Sequence, residues 1–131
     1  MRMSGLVLDA PDVTELTRFY ERLLGWTVEE LIGPRPGYPP GGGWSRLRPA
    51  DRSTKIEIQF EAHYVAPVWP GAPDTPGMQM HLDFWVEDVT RGVAWAITCG
   101  ATEAEHQPAD RDQSRLRIML DPAGHPFCLW S

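Results

Sequence analysis

The sequence predicts an α+β chain built from two βαβββ modules. The prediction rests on one strand-and-helix pattern and on its recurrence at a fixed offset. In residues 80–88, Leu82, Phe84 and Val86 alternate with His81, Asp83 and Trp85, the period of a strand with one apolar and one polar face. Asp88 then stands where a helix N-cap belongs, ahead of a helical stretch that closes at Gly100. The same grammar opens the chain: residues 5–9 alternate, Asp12 precedes a helical stretch, and Gly25 ends it. Asp12 and Asp88 lie 76 residues apart, Gly25 and Gly100 75 apart, so two independent landmarks mark an internal duplication.

The elements follow in order. Residues 5–9 read as a strand with Leu6 and Leu8 inward. Asp12 stands three residues before Glu15, close to a capping box, and Val13, Leu16, Phe19, Tyr20, Leu23 and Leu24 form one apolar stripe at helical spacing. Residues 26–30 return as a strand. Residues 32–43 hold four prolines and five glycines, too many breakers for a helix or central strand. That composition leaves a mobile connector and a lid over a pocket both open, with Tyr38 favouring the lid. Residues 44–48 and 55–60 read as strands, the second with Ile56, Ile58 and Phe60 on one face and Lys55, Glu57 and Gln59 on the other.

Residues 61–79 carry prolines at 67, 70, 73 and 76, a spacing that predicts a stiff, extended connector. The second helix, residues 89–99, presents Val93, Ala94, Ala96 and Ile97, and Gly92 weakens it by about 1 kcal/mol relative to Ala. Residues 102–106, 115–120 and 126–130 read as strands, with a polar loop at 107–114 and a turn at Asp121-Pro122-Ala123-Gly124. The expected organisation is a first module at 4–61, a proline-rich connector at 62–79 and a second module at 80–131.

Composition narrows the function. With 131 residues and 42% hydrophobic content, the chain can bury a core without staples. A net charge of −6, with no basic run, argues against nucleic acid and anionic membrane as partners. No signal pattern or membrane-length apolar stretch is present, and Cys99 and Cys128 have no metal-binding spacing, so a cytoplasmic protein is expected. Six tryptophans favour sites that hold flat or greasy molecules, the alternative being that they fill a small core.

The strand–helix–three-strand unit used twice resembles the vicinal oxygen chelate superfamily, which includes glyoxalases, bleomycin-resistance proteins and extradiol dioxygenases. The residues that carry the resemblance are Phe19-Tyr20-Glu21-Arg22-Leu23-Leu24-Gly25-Trp26, His81-Leu82-Asp83-Phe84, Cys99-Gly100-Ala101 and Asp121-Pro122-Ala123-Gly124-His125-Pro126-Phe127-Cys128-Leu129. With Gln59 and Pro67-Val68-Trp69-Pro70, the pattern is most similar to a glyoxalase-like subgroup common in actinobacteria. The resemblance implies one curved mixed sheet closing around a concave cup.

In metal-using members four ligands point into that cup, and the resemblance places them here at Gly5, Gln59, His81 and Cys128. Gly5 has no donor, Gln59 offers a neutral oxygen, and Cys128 stands where a carboxylate is usual. The familiar metal site is therefore dismantled, and no cofactor is expected, a divalent metal being the lesser alternative. By alternation Val7, Asp9, Glu57, Gln59, His81, Asp83, Trp85, Arg117, Met119, Cys128 and Trp130 share the cup side, and Arg46 and Arg48 are candidates to join them. Its charged groups either hold a ligand or pair with one another. Cys128 reads as an inert small residue or as a nucleophile beside His81, while His63, His106 and His125 read as surface residues.

The expected function is binding of a small aromatic or amphipathic molecule in the cup without the family's complete metal site. Two alternatives stand beside it. One is a metal-dependent lyase, isomerase or dioxygenase with a rearranged site; the other is an interaction module using exposed tryptophans. A homodimer is compatible with the resemblance.

Overall fold

A computed structural model describes Met1 and residues 3–131. The chain divides into two compact units, Met1–Tyr64 and Val65–Ser131. The first holds β1 (Leu6–Ala10), α1 (Val13–Leu24), β2 (Thr27–Ile32), β3 (Trp44–Arg48) and β4 (Ile56–Phe60). The second holds β5 (Leu82–Trp85), α2 (Val89–Cys99), β6 (Thr102–Glu103), β7 (Leu116–Leu120) and β8 (Pro126–Trp130). The sheet orders are β1-β4-β3-β2 and β5-β8-β7-β6, the same order twice, with the first and last strands of each module parallel and the other pairs antiparallel.

The duplicated landmarks are helix caps in both units. Asp12 accepts the Glu15 amide at 2.9 Å and Asp88 accepts the Arg91 amide at 2.9 Å, each taking one of the orphan donors of a first helical turn. Gly25 and Gly100 close the helices at φ 63° and 116°, where a side chain would strain the backbone. A cap at each end, separated by about three turns, fixes helix length before any packing occurs.

Each helix covers one face of its own sheet. In the first unit, Val13, Leu16, Phe19 and Tyr20 are buried along with Leu47, Ile56 and Ile58. Two hydroxyls lie in this core. Thr17 Oγ1 donates to the Val13 carbonyl at 2.6 Å, so the 2.6 Å contact between Thr17 and Ser45 is donated by Ser45, and both groups are satisfied. In the second unit Val89, Ala96 and Cys99 are buried, together with Met119, Phe127 and Leu129. Ala94 and Ile97 are exposed, contrary to the expected helix face, and the buried stripe runs instead through small residues. Gly92 explains the choice, because a Cβ there would sit 3.3 Å from both Val86 methyls. The absent side chain lets α2 approach closely. Gly92→Leu is expected to destabilise the protein by about 1–3 kcal/mol through overpacking, with Gly92→Ala near neutral because helix propensity offsets a few tenths of an ångström of crowding. Urea unfolding of the two variants checks the order.

The loops add detail to these expectations and correct two of them. Residues 33–43 fold into two turns. The Tyr38 amide donates to the Arg35 carbonyl across Pro36-Gly37, with Gly37 at φ 84°, the signature of a type II turn. The Gly42 amide donates to the Pro39 carbonyl across Pro40-Gly41. The prolines and glycines that break regular structure are thus the residues that turns require. Residues 65–79 fold back rather than run extended. Val68 N–H donates to the Pro76 carbonyl at 2.7 Å, and Thr75 Oγ1 closes a turn by accepting from the Ala72 amide and donating to its carbonyl. Local hydrogen bonds outweigh the bias of spaced prolines.

The second correction is β6, which has two residues where five were expected. Beyond it the Gln107 side chain takes over the pairing. Its amide NH2 donates to the Ala104 and Ile118 carbonyls, and its Oε1 accepts the Ile118 amide at 3.0 Å. A side chain mimics a strand neighbour, which alternation does not register.

No helix among the described residues is long and apolar enough to cross a membrane.

Candidate functional site

Strand register decides which side chains share the sheet face that each helix leaves uncovered. In the second unit, Asp83 pairs with Cys128 and Trp85 with Trp130, while Ile118 faces Cys128 and Leu116 faces Trp130. Paired residues point the same way. His81, Asp83, Trp85, Leu116, Ile118, Cys128 and Trp130 therefore share the uncovered face.

Arg117 and Met119 do not belong there. They pair with Leu129 and Phe127, whose face is the one α2 covers. Met119 is fully buried, and Arg117 is held by Glu103. Alternation correctly splits β7 into two sets, but only the register with β8 says which set faces which way.

At the centre of the uncovered face stand His81, Asp83 and Cys128, with one donor atom from each within 4.8 Å of the others. Asp83 connects the three. Its Oδ1 lies 3.2 Å from His81 Nε2, and its carboxylate accepts from the Cys128 thiol. Burial first, then the Asp83 charge and its hydrogen bond, push the Cys128 thiol up to about 11, so it is protonated at neutral pH. A nucleophilic cysteine needs the opposite environment, with a cation rather than a carboxylate beside the sulfur. Cys128 is therefore a neutral lining group at neutral pH, in surroundings that disfavour a nucleophilic thiolate.

Around this cluster lies an open cleft of about 590 Å³, lined by His81, Asp83, Cys128, Leu116 and Trp130 and rimmed by Arg111, Asp112 and Arg115. Sequence reasoning missed the rim. Arg111, Asp112 and Arg115 lie in or beside the polar loop at 107–114, whose path no periodicity predicts. Arg115 donates to the Ser131 carbonyl at 2.9 Å, and Asp112 is held by Ser114 and so kept below the usual carboxylate range. Trp85 and Trp130 are 62% and 44% exposed, which leaves both indoles on this face available for contact.

The first unit's uncovered face carries Val7, Asp9, Trp44, Arg46, Arg48, Glu57 and Gln59 by the same register argument. Here the charged groups pair with one another. Glu57 accepts from Lys55 at 2.8 Å and from Arg46 at 2.9 Å, and those two cations hold its carboxyl below the usual range. Arg48 is bonded to Glu29 at 3.0 Å, and Gln59 donates its amide to Asp9 at 2.7 Å. Val7 is exposed between them.

These neighbours bear on the four positions at which the resemblance places metal ligands. A Cβ at Gly5 would fall 2.2 Å from Lys55 Cγ and 2.6 Å from its carbonyl oxygen, so the entry to β1 and β4 has no room for a side chain. Gln59 keeps only a neutral oxygen, since its NH2 is engaged by Asp9. Two of the four positions thus lack a competent anionic or imidazole donor, and the residues present do not fit the complete set. Of the remaining histidines, His125 is not a surface residue as expected: its Nδ1 lies 2.8 Å from the buried Asp121 carboxylate. His63 and His106 are exposed, His106 standing edge-on to the Trp69 ring.

Two βαβββ units with identical strand order, one helix over each sheet, define the class as the vicinal oxygen chelate fold. Residues 5–130 match the model of the glyoxalase-like domain, and the chain belongs to that family. Among solved structures it is similar to the glyoxalase family protein from Enterococcus faecalis, with 22% identity over 100% of this chain and 96% of that one and a TM-score of 0.64. It is similar also to a glyoxalase/bleomycin resistance protein from Albidiferax ferrireducens T118, with 18% identity, coverage of 98% and 96% and a TM-score of 0.59. A third is a mutant of the fosfomycin resistance protein FosX from Listeria monocytogenes, complexed with Mn(II) and 1S,2S-dihydroxypropylphosphonic acid. It has 16% identity, coverage of 98% and 88% and a TM-score of 0.64. No curated protein matches the chain significantly.

Proposed function

We propose that this protein binds a small aromatic or amphipathic molecule in the cleft of its second module, without the complete metal set of its superfamily. One observation carries the reading. A single cleft of about 590 Å³ brings an indole, a leucine, a neutral thiol, an imidazole–carboxylate pair and two arginines together. Flat apolar surface beside a few polar groups is what orients a small ligand. The FosX neighbour holding a small phosphonic acid is consistent with a small-molecule role for the fold.

The test is a thermal-shift screen with aromatic and amphipathic molecules, followed by titration of Trp130→Ala and His81→Ala. A hit is expected to raise the unfolding midpoint through binding to the native state alone. Trp130→Ala is expected to weaken that hit about tenfold or more, roughly 1.4 kcal/mol. Hits that ignore both variants, or no hits from a broad library, would sink the reading.

A second reading has one observation in its favour. His81, Asp83 and Cys128 put imidazole, carboxylate and thiol donors within 4.8 Å, which suits a metal-dependent lyase, isomerase or dioxygenase with a rearranged site. Metal analysis of protein purified without a His tag separates the two. Stoichiometric metal that is lost in His81→Ala and Cys128→Ser, together with turnover, favours the enzyme.

A further inference from the structure

The first module has a pocket of its own, away from its paired charges. It encloses about 310 Å³ beneath residues 33–43, and its walls include Ile32, Pro34, Arg35, Tyr38, Trp44 and Phe60. We propose that this pocket is a separate small-molecule site and that it takes a monocyclic aromatic carboxylate.

The loop that roofs it springs from the paired residues Ile32 and Trp44 and is fixed again along its C-terminal end. Gly41 gives its carbonyl to the first amide of α1, Val13, at 3.0 Å, and Gly43 gives its carbonyl to the Phe60 amide at 3.2 Å. Close backbone approach makes glycine necessary at both anchors. A Cβ at Gly41 would lie 2.0 Å from the Pro11 carbonyl oxygen, and one at Gly43 would lie 2.1 Å from that of Ile32. The turn closed by Arg35 and Tyr38, and the Pro39–Gly42 turn after it, lead into these anchors and carry Arg35 and Tyr38 at the pocket. The cavity is therefore built by fixed backbone.

Its lining selects the ligand. Aromatic residues from three segments, Tyr38, Trp44 and Phe60, line it where the loop meets the end of the sheet, and an aromatic lining suits a flat apolar ring. Trp44 is steadied by the Arg46 guanidinium stacked 4.7 Å from its ring centroid, and Arg46 is itself held by Glu57. Arg35 is different. Among the described residues it has no ion-pair partner, whereas Arg46, Arg48 and Arg52 all pair with glutamates. Among the described residues no carboxylate lines the pocket, so the local charge is positive and a planar anion is its complement. The volume lies at the lower end for small-ligand sites, which suits one ring with a short acid rather than a fused polycycle. This site does not depend on the second-module cleft.

Phenylacetate and its neutral amide, phenylacetamide, are the probes, read by calorimetry and saturation-transfer NMR on the full chain. Phenylacetate is expected to bind with Kd on the order of 0.1–1 mM, and the amide about tenfold more weakly. Arg35→Gln and Tyr38→Ala, both on exposed turns, are expected to weaken phenylacetate by about tenfold with the thermal midpoint unchanged. Trp130→Ala, in the other cleft, is expected to leave its binding intact. Equal binding of acid and amide overturns the proposal, as does binding that survives Arg35→Gln or is lost with Trp130→Ala. Failure of phenylacetate to bind at about 10 mM, far above the expected Kd, also overturns it.

Discussion

Cys128 is expected to react with a small disulfide reagent about twentyfold more slowly than an unperturbed cysteine at pH 8. Two opposing effects set that number. A thiol pushed up to about 11 is about 0.1% thiolate at pH 8, against about a quarter for an ordinary thiol near 8.5. The population therefore falls about 200-fold. Each remaining thiolate is more nucleophilic, because reactivity rises with basicity at a slope of about 0.4–0.5, which returns about tenfold. Population wins. The rate is expected to rise about tenfold per pH unit above pH 8 and to level off near 11.

Asp83→Asn removes the carboxylate charge beside the sulfur and should speed the reaction severalfold, without reaching the ordinary rate, since burial remains the largest cause. Cys99 is buried and serves as the unreactive internal reference. Fast reaction in the native protein, with a pH midpoint near 7, would instead show that His81 activates the thiol and would favour the nucleophile reading. The outcome also bears on metal. A thiol that resists ionisation resists coordination, because the ligand is the thiolate, so metal affinity at this cluster is expected to rise steeply with pH.

How much of the fold is legible in sequence depends on what each signal encodes. The caps are readable because Asp12, Asp88, Gly25 and Gly100 act within a single helical turn, and local chemistry is written locally. The strands are readable for the same reason: Ile56 and Ile58 alternate with Glu57 and Gln59 in the chain as in the sheet. The faces of neighbouring strands are not, since relative orientation is a property of a pair. Alternation groups Arg117 and Met119 with Cys128, yet it is Ile118 that lies opposite it.

The site divides along the same line. His81, Asp83 and Trp85 are found from one strand, and Cys128 and Trp130 from another, because β5 and β8 each alternate cleanly. Arg111 and Arg115 escape notice because they reach the cleft through a loop whose course is set by Gln107 pairing with Ile118, a contact 11 residues apart in sequence. At residues 32–43 composition correctly excludes helix and central strand, while the turns themselves are written in the order of the breakers, Pro36-Gly37 and Pro40-Gly41.

The turn that joins the two strands of the cleft is held by one buried side chain, and its removal is the largest stability change expected. Asp121 is buried at the turn between β7 and β8. Its Oδ1 accepts the amides of Ala123 and His125, each at 2.9 Å, and its Oδ2 lies 2.8 Å from His125 Nδ1. The turn is closed by the Gly124 amide donating to the Asp121 carbonyl, with Gly124 at φ 89°. Asp121→Ala leaves two backbone donors and a half-buried imidazole without their acceptor, and charged hydrogen bonds of this kind contribute about 1.5–3 kcal/mol each, not additively.

A loss of about 3 kcal/mol is expected, read as a fall in the urea midpoint at constant slope. Asp121→Asn keeps an oxygen for the two amides and loses only the charge toward His125, so a smaller loss, about 1 kcal/mol, is expected. Equal effects of Ala and Asn would assign the stability to the Asp121–His125 contact alone. The consequence reaches the site, because a one-residue slip between β7 and β8 would carry Cys128 and Trp130 to the face beneath α2. At temperatures where Asp121→Ala remains folded, Trp130 fluorescence and Cys128 reactivity are expected to match those of the parent protein, which separates the strength of the turn from the register it selects.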